Sequence, residues 1–124
     1  MERLGFKQNE HNNKTPIVGE VVEVQPHPNA DRLHIAKIDV GESDLKSIIF
    51  GGDRLLKPGD LIPTALPGTW LSNGVKIRSR NYRGIKSYGE LLSSDELGWT
   101  FGGPDEVLIL SPEKFHVGDA VLLK

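Results

Sequence analysis

Glycine and proline interrupt this chain so often that short strands joined by turns are the arrangement it favours, with 14 Gly and 8 Pro among 124 residues. No segment keeps a helical period long enough for a sustained helix, so the chain reads as all-β. A sheet of short strands leaves unpaired edges, and a closed or nearly closed barrel removes them. The length suits one compact domain.

The apolar residues place the strands. Pro16 to Gln25 is rich in β-branched residues and forms a first strand, with Gly19 inside it suggesting a bulge. Pro26-His27-Pro28-Asn29 ends that strand in a turn, where Asn29 or Asp31 closes the loop onto the backbone. His34 to Val40 alternates, setting Ala36, Ile38 and Val40 on one face. Lys46 to Gly51 holds Ile48-Ile49-Phe50, a run expected to be buried on both sides. Lys57-Pro58-Gly59-Asp60 and Leu66-Pro67-Gly68-Thr69 are turns around a short strand, Leu61 to Leu66. Asn73-Gly74 opens a hairpin, Arg83-Gly84 marks a turn, and Ser87 to Ser93 is another strand. Ser94 to Gly98 predicts one helical turn with a serine cap and a glycine stop, followed by strands at Glu106 to Leu110 and Ala120 to Leu123. Gln8 to Thr15 is polar throughout, so residues 1–15 are expected to form a flexible arm and 16–124 the domain.

Function concentrates in Gly74 to Gly98. Lys76, Arg78, Arg80, Arg83 and Lys86 occur there with no acidic residue among them, and Lys76, Arg78 and Arg80 alternate with Ile77 and Ser79. In an extended chain such residues share a face about 6–7 Å apart, close to the phosphate spacing of one nucleic-acid strand. The ordinary reading of a basic run is a solvated strand face; the sharper one is a ridge that tracks phosphates. A net charge of -2 argues against a general nucleic-acid binder, although a polyanion responds to local clustering more than to the sum. Arg32 extends the same surface. Tyr82, set among the cations, is the candidate for stacking on a base, while Phe50 is read as core and Trp70 and Trp99 as covers for the barrel ends.

The chain contains no Cys, which excludes disulfides and thiolate metal sites and fits a cytoplasmic protein. Its four histidines share no ligand spacing, so no metal site is expected. No apolar run is long enough to cross a bilayer. No nucleophile elbow and no phosphate loop is present, so neither a catalytic site nor a cofactor is expected.

The segments VVEVQPHPNADRLHIAKIDVGE and ALPGTWLSNGVKIRSRNYRGIKSYGELLSSDELG carry a resemblance. The sequence resembles the tRNA-binding OB-fold domain near the start of the bacterial phenylalanyl-tRNA synthetase β chain, and related stand-alone tRNA-binding proteins, over about Pro16 to Leu122. The resemblance implies a five-stranded Greek-key OB-fold barrel with short extra strands and one or two helical turns. It further implies non-catalytic binding of tRNA by backbone and shape, either alone or within such a synthetase. On the family's pattern Arg83, Gly84 and Ser87 fall at the signature turn, with Ser93 and Ser94 at the strand end beyond it. The chain departs from that pattern at Glu90, where most relatives have Met, and at Leu92, where many have Cys; Arg83 or Lys86 are the expected partners of Glu90. The RNA-binding set is therefore Arg32, Lys76, Arg78, Arg80, Tyr82, Arg83, Lys86, Ser87, Ser93 and Ser94. Expected partners are tRNA and a synthetase subunit or a second copy of the chain. The acidic pI and Glu90 keep open a second class, a docking or dimerisation module that has lost tight RNA binding.

Overall fold

The computed structural model describes residues 15–52, 54–94, 96–97 and 107–121. The expected arm at 1–14, Trp99, Asp95, Gly98, Glu106 and the end of the last strand lie outside the described residues. Thr15 belongs to the body, because its hydroxyl donates to the Val121 carbonyl at 3.1 Å.

Among the described residues seven strands form two sheets: β1 Ile17–Pro26, β2 Leu33–Asp39, β3 Lys46–Gly51, β4 Leu61–Ala65, β5 Arg80–Tyr82, β6 Ile85–Ser87 and β7 Glu90–Leu91. The larger sheet has the order β3-β2-β1-β4-β7, and β5 and β6 make a separate hairpin. The long first strand organises the sheet. Its N-terminal half pairs antiparallel with β4 and its C-terminal half with β2, so it belongs to both walls of a curled sheet. The curl is set by a bulge between Val21 and Glu23, not at Gly19 as the sequence suggested. Gly19 is small for a different reason: a Cβ there would lie 2.5 Å from the Ile38 side chain and 2.7 Å from Thr64 Oγ1.

The two sheet edges nearly meet, and the segment after β6 bridges them. The Tyr88 N–H donates to the Ser47 carbonyl of β3 at 2.9 Å, while Glu90 and Leu91 pair with Ala65 and Thr64 of β4. The Ile49 N–H donates to Ser87 Oγ at 2.9 Å, and that hydroxyl donates onward to the Gly89 carbonyl at 3.0 Å. The result is the nearly closed five-stranded, OB-fold-like barrel that the resemblance implied. Ser87 to Ser93 is thus two short pieces with a glycine between them, rather than one strand.

The alternation read from the sequence is present in the core. Ala36 and Ile38 are buried on β2 with Val40 just beyond its end, and Ile48, Ile49 and Phe50 are all buried on β3. A second apolar cluster, including Val18, Leu61, Ile77, Leu92 and Val121, packs one end of the barrel beneath the C-terminal segment. Ile77 anchors the basic stretch there, and burying such a side chain contributes about 1.5–3 kcal/mol.

Two helical turns occur among the described residues. Leu97 N–H reaches the Ser93 carbonyl and Phe115 N–H the Ser111 carbonyl. The first is capped by Ser93, one residue earlier than expected. Glu96 Oε1 accepts from the Ser93 N–H at 2.9 Å while the Glu96 N–H donates to Ser93 Oγ at 3.3 Å, a reciprocal capping box.

Candidate nucleic-acid interface

The basic stretch runs along one end of the barrel in two hairpins. In the first, Trp70 is bridged to Lys76 around the Asn73-Gly74 turn, and the Ile77 N–H donates to the Thr69 carbonyl at 2.8 Å. Thr69 and Ile77 point inward and are buried, leaving Trp70 and Lys76 outside. The Lys76 ammonium lies over the Trp70 ring, 5.7 Å from its centroid. Trp70 is 47% exposed, so it does not cover a barrel end as the sequence suggested.

The second hairpin is β5–β6, and its tip is Arg83-Gly84. Both residues have positive φ, 54° and 93°, as a two-residue type I′ loop requires. Arginine pays a conformational cost of about 1–2 kcal/mol in that region, where Asn or Gly is the usual choice. Such a conformation persists where the surrounding structure holds it.

The tip is held by the Pro26–Asp31 turn. Asn29 Nδ2 donates to the Arg83 carbonyl at 2.9 Å. The buried His27 ring accepts from the Asn29 N–H at Nδ1 (3.0 Å), so its proton sits on Nε2, which donates to the Tyr82 carbonyl at 2.8 Å. Two segments some 55 residues apart in sequence are thereby locked together, and Arg32 comes to line a cleft of about 480 Å³ with Arg83 and Asp31.

Arg80 and Tyr82 stand opposite Ser87 and Ile85, whereas Lys86 stands opposite Asn81. Directly paired residues share a face and neighbours alternate, so Lys86 lies on the other side of the hairpin from Arg80 and Tyr82. There its ammonium covers the half-exposed Tyr88 ring, 4.8 Å from the centroid. The cations are therefore spread over two hairpins and both faces of the second, instead of forming a single row. Lys76, Arg78, Arg80, Arg83 and Lys86 are all exposed, and among the described residues none of them is in an ion pair.

A family model for the tRNA binding domain matches residues 17–120, nearly all of the described chain. The chain belongs to the tRNA-binding domain family. It is 40% identical over 102 residues to the phenylalanine–tRNA ligase β subunit of Neisseria meningitidis serogroup A, covering 82% of this chain and 13% of that one. To the same subunit of Lactiplantibacillus plantarum it is 38% identical over 86 residues, covering 69% and 11%. The tRNA-binding domain thus spans about an eighth of the length of these relatives. Among solved structures, the C-terminal domain of Plasmodium vivax p43 aligns over 90% of this chain and 61% of its own, with TM-score 0.58 and 29% identity. A MetRS-related protein from Pyrococcus horikoshii, at TM-score 0.56 and 19% identity over 86% of this chain and 88% of its own, shares the fold.

The three serines singled out from the sequence serve the fold of this tRNA-binding domain. Ser87 is fully buried and holds the barrel seam. Ser93 is buried in the capping box, and Ser94 is 2% exposed.

The sequence suggested Arg83 or Lys86 as partners of Glu90; instead it lines an opening with Arg78, Arg80 and Tyr82. It is half-buried beside Glu96 and within the influence of Arg80. Burial above all, then the neighbouring Glu96 carboxylate and a side-chain hydrogen bond to it, push Glu90 up from 4.5 to about 7; Arg80 opposes the shift. The folded state therefore keeps a proton on Glu90 that the unfolded chain has released. The resulting stabilisation is full below pH 4.5 and is lost as pH rises through about 7. Melting curves between pH 5 and 8 should show the wild type losing stability relative to Glu90→Gln, which has no titrating group there. Parallel curves would remove the assignment.

The His27 and Asn29 clamp on the hairpin tip, and the Glu90–Glu96 pair, were not found from the sequence. Both depend on long-range register, for which the local pattern carries no signal beyond the polar turn residues themselves.

Proposed function

We propose that this domain docks tRNA through its phosphate backbone and shape. Lys76, Arg78, Arg80 and Arg83 meet phosphates, and Arg32 and Lys86 extend the contact around the hairpin. The observation that supports this most directly is the clamped tip, which presents exposed cations without ion-pair partners among the described residues on a rigid mount. A tRNA's helical parts are recognised by phosphate, 2′-OH and shape, for which cations on a fixed projection suffice.

The match to about an eighth of subunits named phenylalanine–tRNA ligase β supports a part in such a ligase. The domain acts there as a non-catalytic accessory that raises the local concentration of tRNA. The apolar exposure at Trp70 and Tyr88 is shared with cations, which suits a nucleic-acid face better than a protein-docking one.

Titration of the domain with tRNA across salt concentrations tests this reading. Affinity should fall steeply, with a log–log slope of roughly -3 to -5 for four to six phosphate contacts. Absence of binding at low salt, or a slope near zero, would refute it.

A further inference from the structure

Two openings meet at Tyr82. One, of about 330 Å³, is lined by Arg78, Arg80 and Ile77 among others. The other, of about 410 Å³, has apolar walls from Leu33, Phe50, Leu91 and Val107. Tyr82, Glu90 and Glu96 line both. A cationic mouth, an aromatic ring, a partly apolar trough and a carboxyl pair therefore lie side by side. Those are the surfaces that a single nucleotide needs: cations for its phosphate, a ring and apolar walls for its base, and polar atoms for the base edge.

We propose that this cleft takes one unpaired guanine nucleotide of the bound RNA. Its phosphate lies on Arg78 and Arg80, its base lies against Tyr82 in the trough, and its N1–H and N2–H donate to the Glu90 carboxylate. The proposal rests on the RNA-binding reading above and adds a base-reading subsite to it.

The choice of guanine follows from donor count. An ionised carboxylate only accepts hydrogen bonds. Guanine presents two adjacent donors on its Watson–Crick edge, matching the two oxygens of one carboxylate. Adenine and cytosine present one amino group beside an acceptor, and uracil one donor between two acceptors, so each sets at least one lone pair against the carboxylate. Glu96 cannot swing away to leave Glu90 alone, because its Oε1 is held by the Ser93 N–H and hydroxyl at 2.9 and 3.2 Å. The charged and titratable groups facing Glu90 are Glu96, Arg80, Arg78 and Tyr82. Burial and Glu96 keep Glu90 partly protonated near pH 7, so guanine recognition strengthens as the pH rises to 8 and weakens at pH 6.

Binding of fluorescently labelled UUGUU, UUAUU, UUCUU and UUUUU pentamers to the full chain at low salt tests the cleft. At pH 8 UUGUU should bind about tenfold more tightly than the other three, the usual discrimination of a two-bond base contact. The gap should narrow at pH 6 and vanish in Glu90→Gln, while Tyr82→Leu should weaken all four pentamers. Equal affinities at pH 8, or a guanine preference that survives Glu90→Gln, overturn the proposal. Salt-dependent binding of whole tRNA with no discrimination among pentamers removes the guanine subsite and leaves the docking role standing. Failure of tRNA and pentamers alike removes both.

Discussion

Arg78→Glu combined with Arg83→Glu is expected to weaken tRNA binding at low salt by roughly a hundredfold or more and to flatten its salt dependence by about two units of slope. The two side chains sit apart, Arg78 just before β5 beside the groove at Arg80 and Arg83 at the clamped tip. Each reversal removes a phosphate contact and adds a repulsion. The fold should not notice. Both residues are exposed, neither is in an ion pair among the described residues, and the anchor beneath them is Ile77, which is untouched. At the tip, glutamate meets the same φ of 54° as arginine, so the strain is unchanged. The melting temperature should therefore stay within about 3 °C of wild type. Lys114→Glu, on the exposed turn at Ser111, shifts the net charge as much as Arg78→Glu or Arg83→Glu does singly, so comparison with those single variants controls for net charge. Comparable loss in that variant would mean that total charge, not the hairpin, governs binding. Unaltered affinity in the double variant would refute the interface.

The contrast between what the sequence disclosed and what it hid is physical. Alternation revealed β2 and the inward Ile77, because a side-chain period of two is a local property of extended backbone. The Arg83-Gly84 tip and the Pro-Gly turns were visible because turn chemistry is also local. The division of the cations between two hairpin faces was not visible. It depends on the register Arg80↔Ser87 and Asn81↔Lys86, and a slip of one residue would exchange the faces. Ser87 entered the candidate set through its place at the family's signature turn, yet the bond that uses its hydroxyl comes from Ile49, 38 residues earlier. The site was thus legible as a composition of groups, while its geometry required the barrel to close.

That closure depends most on Gly89. An added Cβ would lie 2.3 Å from the Ala65 carbonyl oxygen and 3.2 Å from both Ala65 C and Leu66 Cα, all backbone atoms that cannot rotate aside. Its φ of 122° is also one that L-residues rarely adopt. Relief would have to come from separating β7 from β4, which breaks the pairs Thr64↔Leu91 and Ala65↔Glu90 and disturbs the carbonyl that accepts from Ser87. Gly89→Ala should therefore destabilise the domain by about 3 kcal/mol or more, a large share of the 5–15 kcal/mol typical of such domains. The corresponding drop in melting temperature is on the order of 10–20 °C. Gly84→Ala supplies the comparison, since its φ of 93° is similarly unfavourable but its nearest contact is Asn29 Nδ2 at 3.8 Å. That variant should lose only about 1–2 kcal/mol, the conformational term alone. Equal losses in the two variants would show that backbone conformation, and not the close approach to Ala65, is what position 89 requires.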